Sequence, residues 1–198
     1  MRKLRELRAR PRSERGTAVV ESAIALPVFL LIIFGTVEFG LAFRSYLTTT
    51  AAARDSSRYA ATMGKDVNAD YFIIADALNS LGPIGGKDAV TTISIFKATG
   101  PESTTESGSL ATCRTQSVPG VCNTYRGDDL TTDPYRYACR PTALDRFWCP
   151  ASRKVNLSDP PDYVGIYIEV EHEGVTGVLG PSMTFSEEVV TRLEPVRK

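Results

Sequence analysis

Residues 15–38 read RGTAVVESAIALPVFLLIIFGTVE, and the placement of the three charges in this stretch decides how the chain is organised. Between Glu21 and Glu38 lie sixteen uncharged residues, Ser22 to Val37. Carried through Glu38 to Phe43, the run reaches the roughly 20 residues that a helix needs to cross a bilayer. Residues 1–16 hold seven Lys+Arg and two Asp+Glu, a formal charge of +5. Only Arg44, Arg54 and Arg58 follow the run closely. This asymmetry predicts a cytoplasmic N-terminus, one membrane crossing and a C-terminal part on the far side.

The neutral formal charge of the whole chain hides a division. Without residues 1–16, the remainder carries 16 basic and 21 acidic residues, a charge near −5. An acidic chain with no basic patch argues against nucleic acid as its main partner. Two other readings of the N-terminus stay open at this level. A secretory signal peptide also has a basic start and an apolar middle, and Gly40-Leu41-Ala42 would serve as its cleavage site. An uncleaved anchor is the other.

Beyond the apolar run, Arg44 to Met63 is rich in alanine and lacks glycine and proline until Gly64, a residue suited to end a helix. An unbroken helix over 17–63 would be roughly 70 Å long, more than twice the bilayer thickness. Pro27 removes a backbone donor and crowds the carbonyl of Ala23, so a kink is expected there. Ala52, Ser56 and Ala60 form a row of small residues that would let another element approach closely, and Asp55 and Arg58 are spaced for an ion pair.

Taken together, Gly16-Thr-Ala-Val-Val-Glu21, Pro27, Glu38-Phe-Gly40 and Ala51-Ala-Ala-Arg54-Asp-Ser-Ser-Arg58-Tyr-Ala-Ala61 resemble the TadE-like family of minor pilins, or pseudopilins, of tight-adherence, Flp-type pili. The resemblance covers about the first third of the chain. It implies that residues 1–16 are a prepilin leader, cut after Gly16 by a membrane-embedded aspartyl prepilin peptidase to leave Thr17 first. Glycine suits that position because it offers no side chain to obstruct an extended backbone in a narrow protease site. The implied partners are the peptidase, other pilin and minor pilin subunits, the inner-membrane assembly platform and the lipid bilayer. The implied location is the bacterial inner membrane with a periplasmic head.

Two acids in the apolar region need a physical account. An ionised carboxylate in hydrocarbon costs of order 2.5–3.5 kcal/mol on insertion scales, so Glu21 should face a partner. Cleavage would supply one in the α-amine of Thr17, which is largely cationic at neutral pH. Thr17 and Glu21 are also four residues apart, so a pair within one subunit competes with a pair between subunits. Similarity to pilins favours the second. Alternatively, Glu21 lies among headgroups at the helix start, where the dipole favours an anion. Glu38 is expected to snorkel to the membrane interface, or to pair with Arg44 or a partner subunit.

Residues 65–198 are enough for one small head domain. Tyr71, Ile74, Ala75, Leu78 and Leu81 recur at helical spacing and Gly82-Pro83 ends the pattern, which predicts a second helix over 69–81. Thr91 to Lys97 is β-branched and short. Val164, Ile166, Ile168 and Val170 alternate with Gly165, Tyr167, Glu169 and Glu171, predicting a strand with one wet face, and 183–193 predicts another. The expected fold is α+β: a long pilin-like helix packed on a small antiparallel sheet, with a disulfide-stapled loop over 100–161.

That loop holds all four cysteines. Cys113, Cys122, Cys139 and Cys149 are separated by eight, sixteen and nine residues with no C-x-x-C pair and no nearby histidine, which argues against zinc. An even count in a segment predicted to be periplasmic points to two disulfides. Of three connectivities, Cys113–Cys122 with Cys139–Cys149 is preferred because it closes short loops. Asp128, Asp129 and Asp133 lack EF-hand spacing and suit turns. Tyr125, Tyr135, Tyr137, Phe147 and Trp148 would serve adhesion or pack around the disulfides. His172, the only histidine, shares the parity of the apolar strand face, which favours a structural role over a catalytic one. No catalytic set, metal site or cofactor is expected. The chain is expected to be a structural pilus subunit; the alternative is a membrane-anchored periplasmic binding or adhesion module that never polymerises.

Overall fold

The computed structural model describes residues 15–106, 108–156 and 160–195; most of the leader expected over 1–16 lies outside the described residues. Helix α1 spans Arg15–Met63 and runs unbroken through Pro27. Its 49 residues make a rod of about 73 Å. Gly64, with φ +57°, ends it in the left-handed region that costs glycine least. Helix α2 spans Ala69–Ser80. Strands β1 (Val90–Ala98), β2 (Cys122–Tyr125), β3 (Tyr163–Glu173) and β4 (Ser182–Arg192) form one antiparallel sheet in the order β2-β1-β3-β4. The fold is thus α+β, a long apolar helix on a small antiparallel sheet with two disulfides.

Only the C-terminal part of α1 carries the head. No residue from Gly16 to Phe34 is buried, whereas Glu38, Ala42, Ser45, Thr49, Ala52, Ser56 and Ala60 form a buried stripe. Steps of three and four keep that stripe on one side of the rod. Its small side chains let α2 and the sheet come close, and the core forms around Ala52, Ala53 and Ala60 with Ile73, Ile74, Ala77, Ile93, Ile95, Ile166 and Ile168. The buried face of α2 is Ala69, Asp70, Ile73, Ile74 and Ala77; Tyr71, Ala75 and Leu78, which the spacing marked, are half-buried at its edge. Asp55 and Arg58 are both exposed, and no ion pair joins them.

The second face of the sheet departs from expectation. Tyr167 is buried together with Phe96, Ala98, Cys113 and Cys122, because the Cys113–Cys122 loop folds over that face. Gly165 pairs with Phe96, and a Cβ at 165 would lie 2.0 Å from Phe96 Cζ, so the ring occupies the space that any side chain there would need. Only beyond Glu169 does the face reach water, where Glu171 and Glu173 are exposed. Strand β2 lies inside the segment expected to be irregular loop. Its four residues are too few for an alternating pattern, and pairing with β1 holds them.

The Cys113–Cys122 and Cys139–Cys149 disulfides close loops of sequence separation 9 and 10. Asp70 on α2 ties β2 and the segment just after the second of these loops to the core. Its carboxylate pairs with Arg153 and accepts from Asn123 Nδ2 at 2.8 Å and Tyr125 Oη at 2.7 Å. Both charged side chains are fully buried, and the Arg153 guanidinium stacks on Trp148 at 4.4 Å from the ring centroid. Ala138 and Cys139 adopt φ of +75° and +54°, a conformation that non-glycine residues resist. Asp145 holds it by accepting from both backbone N–H groups, at 3.1 and 2.9 Å. Burial raises the Asp145 pKa and the two N–H donors oppose that rise.

Candidate functional site: the N-terminal helix and its clasp

The residues that the sequence singles out for processing and pairing lie together on the free end of α1. Gly16, Thr17 and Glu21 are all exposed, and among the described residues nothing lies within 4 Å of a Cβ built on Gly16. Apart from Glu21 and Ser22, the residues from Val19 to Phe34 are uncharged and apolar, and the large side chains among them, including Ile24, Leu26, Phe29, Leu31 and Ile33, are exposed. An all-round apolar helix that no part of the head covers needs another apolar environment. By length and composition α1 can cross a membrane, consistent with a single-pass anchor.

Glu38 does not pair with Arg44, which is exposed; its side chain is completely buried. The turn joining β3 to β4, residues 174–181, closes over it. Thr176 Oγ1 donates to one carboxylate oxygen, Gly177 N donates to the other at 3.2 Å, and Val178 N donates at 3.2 Å. Two successive backbone N–H groups and a hydroxyl thus form a small anion nest. Gly174 makes the approach possible, because a Cβ there would lie 2.5 Å from Glu38 Oε1 and 2.5 Å from the Gly180 carbonyl. The sequence held a faint signal in the glycine-rich turn GVTGVLGP at 174–181. Nothing local could connect it to an acid more than 130 residues earlier.

The remaining candidates have structural partners. His172 Nδ1 lies 3.1 Å from Ser45 Oγ, docking β3 on α1. Asp133 accepts from Tyr135 N at 3.0 Å in a turn, and Asp129 pairs with Arg136 at 2.9 Å. Tyr125, Tyr137 and Trp148 are buried, while Tyr135 is 82% exposed. No group of three or more metal-ligating side chains occurs among the described residues.

Comparison with known proteins adds information only at the N-terminal end. No curated protein and no solved structure matches the chain. Residues 16–58, from Gly16 to the small-residue row under the head, match the model of the TadE-like protein family, so this segment of the chain is similar to TadE-like proteins.

Proposed function

We propose that the protein is a structural, non-enzymatic subunit associated with a tight-adherence pilus: a minor pilin or pseudopilin that is inserted in the inner membrane and cut after Gly16 by prepilin peptidase. Its N-terminus faces the cytoplasm and its head the periplasm. After cleavage, Glu21 of one subunit engages the α-amine of Thr17 on a neighbour, since the cost of holding a carboxylate in hydrocarbon falls when a cation pairs with it. The observation that carries this reading is the TadE-like match over residues 16–58, on a helix whose residues 16–34 remain bare of the head.

N-terminal sequencing of the protein purified from membranes of its native host tests the processing step. The expected first residue is Thr17; a start at Met1 or near Phe43 refutes it. Gly16→Phe should accumulate at full length and abolish piliation, whereas a tethered binding module would be indifferent. Glu21→Ala should leave cleavage largely intact and impair assembly, and normal pili in that variant would rule out the subunit pairing.

A further inference from the structure

The β3–β4 turn does more than bury Glu38. It projects down α1 toward the bare segment, so that a Cβ on Gly35 would meet Val178 Cγ1 at 3.7 Å. The turn, Gly174 to Pro181, carries no charge, and it leaves Val175 71%, Val178 44% and Leu179 44% exposed. Beside it on α1, Phe39, Phe43 and Tyr46 form an exposed column, with successive ring centroids 6.3 Å apart. An apolar groove lined by Phe39, Phe43, Tyr46, Leu179 and Phe185 joins column to turn.

We propose that this turn and the aromatic column form a collar that inserts into the headgroup and acyl boundary of the leaflet on the head side, and that the collar sets how deeply α1 sits in the bilayer. The inference rests on the transmembrane reading of α1 given above. Length is the first argument. From Thr17 to Gly35 the helix rises about 27 Å, close to the roughly 30 Å of the hydrocarbon core. A span ending at Phe43 would submerge the turn and the polar atoms around Glu38. A span ending near Gly35 brings the turn to the interface. Composition is the second: aromatic rings collect at that depth, and an uncharged turn carrying two valines and a leucine can enter it without burying a charge. Continuity is the third, because the collar prolongs the exposed apolar surface of residues 24–34, which favours lipid over a second copy of the chain as its occupant.

The four native cysteines are paired, so single thiols can be labelled in the full-length protein. Val178→Cys, Ile32→Cys and Tyr135→Cys, each carrying an environment-sensitive fluorophore, are reconstituted in nanodiscs of phosphatidylethanolamine and phosphatidylglycerol. Quenching is measured with aqueous iodide and with lipids spin-labelled near the headgroup. The label at position 178 should be quenched by the shallow lipid and should show an iodide constant roughly threefold or more below that at the exposed position 135. Val175→Cys should behave as Val178→Cys does, which covers the case in which the latter loosens the turn. If the label at 32 is shielded by lipid while those at 175 and 178 are as open to iodide as that at 135, the collar is refuted and the transmembrane reading stands. If all are open to iodide, both fail. Labels at 175 and 178 that resist iodide yet ignore the lipid quencher would place another protein surface on the turn and also overturn the collar.

Discussion

Replacing Asp70 with asparagine keeps the shape of the side chain and removes its charge. In the native head, Asp70 neutralises Arg153 and accepts from both Asn123 and Tyr125, with both ionic side chains fully buried. Asparagine retains one carbonyl acceptor and turns its amide donors toward neighbours that are donors themselves. The Arg153 guanidinium, stacked on Trp148, is then left in the interior with no carboxylate paired to it among the described residues. Breaking one half of a buried pair costs about 3–5 kcal/mol, since the remaining charge stays desolvated. Set against typical domain stabilities of about 5–15 kcal/mol, that loss is large. Guanidinium unfolding of the full chain in detergent, followed by fluorescence, gives a local readout because Trp148 is the only tryptophan and stacks on Arg153. A cycle with Arg153→Met separates coupling from packing: the double variant should recover about 2 kcal/mol or more relative to the sum of the single losses. An Asp70→Asn cost under about 1 kcal/mol, or additive single effects, would show that this pair does not hold the segment after Cys149 to α2.

Three further outcomes follow from the geometry. Gly165→Ala should destabilise the head by about 1–3 kcal/mol, measured in the same unfolding assay, because the Phe96 ring is fully buried and has little room to yield; a neutral result would contradict the close packing of that face. Burial, reinforced by the Asp70 charge, raises the pKa of Tyr125 and Tyr137, and burial with the Glu169 hydrogen bond raises that of Tyr167 to about 12. Unfolded phenols lose their protons near pH 10, so this stabilisation is fully present below about pH 10 and is lost as the pH rises toward the folded values, at about 1.4 kcal/mol per pH unit for each fully buried phenol. Unfolding midpoints should therefore fall between about pH 10 and 12, less steeply in Tyr167→Phe, and a flat profile would refute the assignment. Intact mass should rise by about four hydrogens on reduction, and Cys113→Ser with Cys122→Ser should cost about 2.5–3 kcal/mol, the chain-entropy value for so short a loop.

The positions of these groups show where local pattern stops being informative. The long helix, its end at Gly64, the second helix and the two long hairpin strands were legible because each is set by short-range physics: a run of apolar residues, a glycine free to take positive φ, a period of 3.6 or of two. The loop from 100 to 161 was not legible in the same way. Its short β2 strand exists only because β1 offers an edge, and Asp70 meets Arg153 across 83 residues of sequence. Tyr167 looked wet because its alternation with Ile166 and Ile168 is that of a half-solvated strand, yet the Cys113–Cys122 loop covers it.

By itself, the amino-acid sequence determined a long apolar helix after a basic N-terminal stretch, the class of the head and the likeness of residues 16–58 to the TadE-like family, because hydrophobicity, charge and period are properties of neighbouring residues. Only the tertiary structure decided the fate of Glu38 and where the bare part of α1 ends, since both depend on a turn distant in sequence that folds back along the helix. An acid in an apolar run is costly in every local context, and its solution lies in whichever distant backbone brings N–H groups to it.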